Sequence, residues 1–110
     1  MRSATRVRVF VGEDERYRGR SLFEAIVLAA RERGLAGATV FRGFMGYAPH
    51  ADIGTTGILR LAENLPMVVD IVDSRDKIDG FMPFLKRAVR TGMVLSSSVE
   101  AEQVLSEEAG

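Results

Sequence analysis

Polar and apolar positions alternate along residues 6–12, with Val7, Val9 and Val11 on one side and Arg6, Arg8 and Phe10 on the other. A period of two is that of a half-buried strand. Past Gly12 the alternation gives way to the charged, glycine-bearing run GEDERYRGR, and a helical period starts at Ser21. Ser21-Leu22-Phe23-Glu24 has the form of a capping box, in which the serine side chain takes the Glu24 amide and the glutamate reaches back. Leu22, Ile26, Ala29 and Ala30 then share one stripe, and Arg31, Glu32 and Arg33 fill the last turn before Gly34, a C′ glycine by position.

Residues 38–42, ATVFR, are β-branched and aromatic and predict a second strand. Residues 58–61 and the run MVVDIV at 67–72 read as one long strand region bent at Pro66, because proline supplies no N–H to a ladder in mid-sheet. Ser74 caps a second helix, in which Ile78, Phe81, Met82, Leu85 and Val89 keep helical spacing up to Gly92. Pro83 deletes one hydrogen bond within it, which predicts a kink and not a break. Residues 93–104 form a final strand diluted by Ser96-Ser97-Ser98, and residues 105–110 read as a frayed tail.

The order strand, helix, strand, strand, helix, strand predicts an α+β fold, the ferredoxin-like βαββαβ sandwich, with both helices on one face of an antiparallel sheet. Phe10, Val40 and Val68 set against Phe41 and Val69 place apolar residues on both sides of the strands. The second face therefore needs its own cover, most simply another subunit. With 46% hydrophobic content over 110 residues, the chain holds the core of a single domain, residues 1–110, and a small one that gains from oligomerisation.

Charge and composition narrow the partners. Fifteen Lys and Arg balance fifteen Asp and Glu, which gives no electrostatic case for nucleic acid or an anionic membrane surface. The absence of cysteine excludes disulfides, thiolate metal sites and thiol nucleophiles. No apolar run approaches the roughly 18 residues of a membrane span, and the N-terminus lacks the apolar core of a signal peptide. A cytoplasmic protein is expected.

Between the second and third strands lies GFMGYAPHADIGTTG, residues 43–57, with four glycines, one of three prolines, the only histidine and no Lys or Arg. A hairpin there needs two to five residues, and loops beyond about 12–15 tend to be functional or disordered. Gly43, Gly46, Gly54 and Gly57 suit close approach of backbone amides to a phosphate or simply loosen the loop; their spacing matches neither a Walker loop nor a dinucleotide fingerprint. Arg42 and Arg60 flank the loop, placed either to converge on one anion or to pair with Glu13, Asp14 or Glu63. Arg90-Thr91-Gly92 closes the second helix, where exposed carbonyls favour cations. Phe44 and Tyr47 offer aromatic faces for an adenine or a partner, or pack against the sheet.

Glu13, Asp14 and Glu15 with His50 could make a cation site, but acids ahead of a helix suit its dipole, and one histidine without cysteine is a poor basis for zinc or copper. No metal site is expected. A Ser-His-Asp set and a pair of buried carboxylates are both lacking, so the chain does not read as an enzyme. RNA recognition on this fold wants an aromatic stretch with basic character, and VRVFVG offers one outward Phe in a neutral chain.

The blocks RVFVGEDERYRGRSLFEAIV, RERGLAGATVFRGFMGY, LRLAENLPMVVDIVDS and TGMV closely resemble the PII-like (GlnB-like) family catalogued as domain of unknown function 190, over nearly the whole chain from about Arg6 to Val104. The resemblance implies a ferredoxin-like homotrimer of the PII signalling type, with adenine nucleotides bound in clefts between subunits. It also implies a mobile loop between strands two and three that touches a transporter or enzyme. Residues 43–57 are the counterpart of that loop, and Arg90, Thr91 and Gly92 the counterpart of the phosphate-holding loop before the last strand. By this resemblance Arg42, Gly43, Gly46, Arg60, Arg90, Thr91 and Gly92 line a nucleotide cleft, with AMP or ADP ahead of ATP because the basic complement is thin. Tyr47, Pro49 and His50 meet the regulated partner, a membrane transporter or other protein. The phosphate-loop and C-terminal basic motifs of true PII proteins are missing, and Ile53-Gly54-Thr55 stands where the family often has Ile-His-Thr. The alternatives are a nucleotide-independent trimeric interaction module and a metal or small-anion sensor.

Overall fold

A computed structural model describes residues 1–46 and 65–106. The elements are β1 (Arg2–Gly12), β2 (Arg16–Tyr17), β3 (Arg20–Ser21), α1 (Leu22–Glu32), β4 (Gly37–Arg42), β5 (Pro66–Asp73), α2 (Arg75–Ala88) and β6 (Met93–Ala101). Four strands form one antiparallel sheet in the order β4-β5-β1-β6, and β2 and β3 form a small separate hairpin. Both helices pack on one face, α1 over β4 and β5 and α2 over β1 and β5. This is the ferredoxin-like arrangement expected from the element order.

The core follows from strand parity. Val7, Val9 and Val11 of β1 pair with Ile71, Val69 and Met67 of β5, and all six are buried beneath Leu22, Ile26 and Ala30 of α1 and Ile78, Phe81 and Leu85 of α2. Phe84 and Ala88 complete the buried stripe of α2, two positions that the sequence reading passes over. Removing a side chain such as Phe81 from a core of this kind costs about 3–5 kcal/mol.

Register regroups the residues of the other face. Phe41, Val68 and Phe10 lie together, while Val40 and Val69 point to the helices. The sequence-based grouping of Phe10 with Val40 misassigned one strand, because the phase between two strands is fixed by pairing and not by either strand alone. Its conclusion survives: one residue from each strand, Phe41, Val68, Phe10 and Met93, forms an apolar row across the uncovered face. Phe41, Met93 and Leu95 are 52%, 45% and 46% exposed there.

The helix ends differ from expectation in instructive ways. Ser21 precedes α1 but makes no side-chain cap bond. Its backbone is tied to Arg16 in the hairpin, and the Leu22 N–H donates instead to the Glu15 carbonyl at 2.8 Å. At the other end the Gly34 N–H reaches Arg31 O and the Leu35 N–H reaches Ala30 O, with Gly34 at φ 72°; that is a Schellman closure. Ser74 caps α2 as expected, its hydroxyl accepting the Lys77 N–H. The helix runs unbroken through Pro83 but stops at Ala88, so residues 90–92 are a bend leading to β6 and not the last helical turn.

β1 begins four residues earlier than the alternation suggests and β6 ends at Ala101. Pro66 opens β5, the position in a strand where a missing N–H is tolerated. Residues 58–61, read as the first part of that strand, lie outside the described residues.

Candidate functional site

The C-terminal ends of β4 and β1 and the N-terminal ends of β5 and β6 meet at one end of the sheet, where Arg42, Met67 and Val11 stand in register. Four contacts, three of them between backbone segments, close this end. Gly43 N–H donates to Pro66 O at 2.7 Å, and Glu13 N–H donates to Leu65 O at 2.9 Å. Gly12 lies beyond the last β1 residue paired with β6, and its N–H goes to the Glu15 carboxylate at 2.7 Å. At the far edge Gly92 lies against the Phe10 carbonyl.

Two of the predicted glycines are demanded by this packing alone. A Cβ on Gly43 would sit 2.6 Å from Pro66 Cγ and 2.8 Å from Pro66 O, and one on Gly92 would sit 2.6 Å from Phe10 O. Gly92 also holds a positive φ of 155°, and Gly46 one of 143°. Close approach of chain to chain therefore accounts for Gly43 and Gly92 before any ligand is invoked.

Arg42 is the basic group at the neck of the connection, and its guanidinium pairs with the Glu13 carboxylate at 2.7 Å. Of the two roles the sequence leaves open for Arg42, the ion pair is the one observed. Arg90, Thr91 and Gly92 are exposed and occupy the same end of the sheet. They stand on the β6 edge, however, three strands from Arg42 on the β4 edge, or about 14 Å at the usual strand spacing. One chain thus brings the two groups to one end but not to one phosphate. Arg60, Tyr47, Pro49 and His50 lie outside the described residues. Phe44, at the start of the connection, is 83% exposed.

The sequence reading missed the charged centre of the uncovered face. Arg8 Nε and Nη2 donate to Asp70 Oδ1 and Oδ2 at 2.7 and 2.8 Å, a two-pronged pair between β1 and β5. The hydrogen bond from Arg8 holds the Asp70 carboxyl below its ordinary range; partial burial opposes this, and the charges of Arg8 and Arg6 add to it. The available signal was parity: Arg8 shares the face of Phe10, and Asp70 that of Val68, but only the register sets them opposite. Asp70 offsets the charge of Arg8, which lowers the electrostatic cost of covering the middle of this face.

Among the described residues no three His, Cys, Asp or Glu side chains are grouped to hold a metal ion, and no helix is long and apolar enough to cross a membrane.

Residues 4–101 match the family model DUF190, described as an uncharacterized ACR. The chain belongs to the DUF190 family. It is 36% identical over 94 residues to a UPF0166 protein of Aquifex aeolicus, covering 86% of this chain and 89% of that one. A UPF0166 protein of Methanocaldococcus jannaschii is 26% identical over 90 residues, covering 81% and 82%. Solved structures with the same fold include CPII bound to ADP and bicarbonate from Thiomonas intermedia K12, with a TM-score of 0.58 at 12% identity, covering 92% of this chain and 90% of that one. The GlnK–ATP complex of B. subtilis has a TM-score of 0.56 at 14% identity, covering 90% and 84%. This DUF190 chain therefore has the PII-like fold.

Proposed function

We propose that this DUF190 protein is a PII-like regulatory homotrimer that binds an adenine nucleotide between subunits and signals to a protein partner through the connection between β4 and β5. One observation carries the reading. The uncovered sheet face bears an apolar row, and the two loop bases lie at its same end on opposite edges. Association through that face lets the β4 edge of one subunit, with Arg42, Gly43 and Gly46, approach the β6 edge of the next, with Arg90, Thr91 and Gly92. A cleft of this kind spans the separation that one chain cannot. The likeness to proteins solved with ADP and with ATP supports an adenine nucleotide as the ligand. AMP or ADP is favoured, since few cations stand near the cleft.

In this mechanism the chemistry is binding and not catalysis. Arg90 and the amide of Gly92 hold phosphate oxygens by charge-assisted hydrogen bonds, and Arg42 exchanges Glu13 for the ligand. That exchange frees Glu13 and shifts the neck of the connection, whose residues Tyr47 to His50 meet the partner. A ligand moves such an equilibrium only by its differential affinity for the two states.

The test is calorimetry with AMP, ADP and ATP, alongside light scattering for mass. A trimer that binds one of the three, with affinity reduced about tenfold or more in Arg90→Ala at unchanged mass, is the expected outcome. The Arg42–Glu13 pair favours a second reading, a trimeric interaction module without nucleotide, in which that pair is permanent. A trimer indifferent to all three nucleotides would select it.

A further inference from the structure

At the opposite end of the sheet, where β1 starts and β6 finishes, a hollow of about 370 Å³ opens beside the N-terminal turn of α2. Ser3, Thr5, Ser98, Glu100 and Arg75 line it. The helices pack mainly over β4, β5 and β1, and beyond Val94 the helix-side residues of β6 are Ser96, Ser98 and Glu100. Ser3 and Thr5 of β1 pair with Glu100 and Ser98 of β6, which puts three hydroxyls and one carboxylate on a single wall.

Thr5 is the feature that packing does not explain. It is the buried polar residue of the described core, 4% exposed. No described group hydrogen-bonds its side chain. The register partner on its other flank is Asp73, whose two carboxylate oxygens accept the Ala36 N–H at 2.8 Å and the Ser74 N–H at 2.6 Å. That carboxylate is engaged by the turn into α2 and by the connection that leads to β4. Buried hydroxyls are ordinarily satisfied, and this one borders a hollow instead.

We infer that the hollow binds a small carboxylate carrying a hydroxyl or amino group, of amino-acid size. Arg75 supplies the cation for the carboxylate; its only described restraint is a single contact of 3.3 Å to Asp79 one turn along the exposed surface of α2. The partial positive charge of the α2 N-terminus acts in the same sense. Thr5 and Ser98 donate their hydroxyl protons to the carboxylate oxygens, which satisfies the stranded group. Glu100 would repel a bare anion, so it selects for a ligand with a donor, accepting from the hydroxyl or ammonium beside the carboxylate. The site is separated from the Arg42 and Gly92 end by the length of the sheet and shares no residue with it.

Calorimetry on the full chain with L-serine, L-aspartate, L-glutamate, L-lactate and L-malate, and glycerol as the neutral control, tests this. At least one carboxylate is expected to bind saturably, one per chain, and glycerol is not. Thr5→Val keeps the shape and removes the hydroxyl; it should weaken that binding about tenfold or more while raising the melting temperature of the free protein, because no stranded group remains. Arg75→Gln should weaken binding similarly with little change in melting. Adenine nucleotide titrations of both variants should match the parent, so failure here and failure of the nucleotide reading are separable. No binding by any of the five at millimolar concentration, binding that survives both substitutions, or a Thr5→Val protein that melts below the parent would each overturn the assignment.

Discussion

One methyl group separates two glycines of opposite value. Gly80 lies in α2 with open space where a Cβ would go, whereas the Cβ of an alanine at position 92 would press on the Phe10 carbonyl. Gly92→Ala is expected to destabilise by about 1–3 kcal/mol, through strain at its positive φ and displacement of the β1 backbone. Gly80→Ala should stabilise by about 0.5–1 kcal/mol, the ordinary gain in a helix interior. Urea denaturation of the two variants reads both signs; a neutral Gly92→Ala would show that the bend between α2 and β6 can yield. Gly92 is thus a structural residue whatever it binds.

Between elements, the Arg8–Asp70 pair ties β1 to β5 on the uncovered face. The sign of its pH dependence follows from the depressed Asp70 carboxyl. Its contribution is fully present above the unfolded carboxylate value near 3.9 and is lost as pH falls through the lower folded value. Melting temperature should therefore fall more steeply with acidification below about pH 4 in the parent than in Asp70→Asn. Equal slopes would show that the pair does not couple folding to protonation.

Legibility in the sequence tracked the range of the interaction responsible. Strand parity in β1, the Gly34 closure and the Ser74 cap are set within a few residues and were readable. The β2–β3 hairpin was hidden because its turn places Arg18 at φ 48° beside Gly19 at φ 84°, a primed turn that usually announces itself with Asn or Asp before the glycine. Arg16 steadies that turn by donating to the Gly19 carbonyl at 2.8 Å. The true end of α2, the Arg8–Asp70 pair and the Thr5 hollow depend on register or on contacts between distant segments, which no single window of sequence contains. At the Gly43 and Gly92 end, the sequence placed Arg42 and Gly43 at the base of the connection but carried α2 on to Gly92, and it could not reveal that the two glycines are fixed by Pro66 and Phe10.

For the whole molecule, the two faces of the sheet divide the labour. The helix side supplies the core, and the Phe41–Val68–Phe10–Met93 row is the surface that the proposed trimer would bury. Such an assembly puts three copies of the Gly43–Pro66 neck at one end and three Thr5 hollows at the other, so the two kinds of ligand would approach from opposite poles. The neck itself is closed by the Gly43 to Pro66 and Glu13 to Leu65 hydrogen bonds, on residues that the sheet already holds. Whatever leaves at Gly46 and returns at Leu65 hangs from a finished frame. Replacing residues 47–64 with a short glycine-serine linker should leave the melting curve nearly unchanged by circular dichroism, and a chain that no longer folds would show that the frame needs its insert. A frame that is indifferent to what it carries works as a socket: evolution, or an engineer, can exchange the segment between Gly46 and Leu65 while keeping the sheet beneath it.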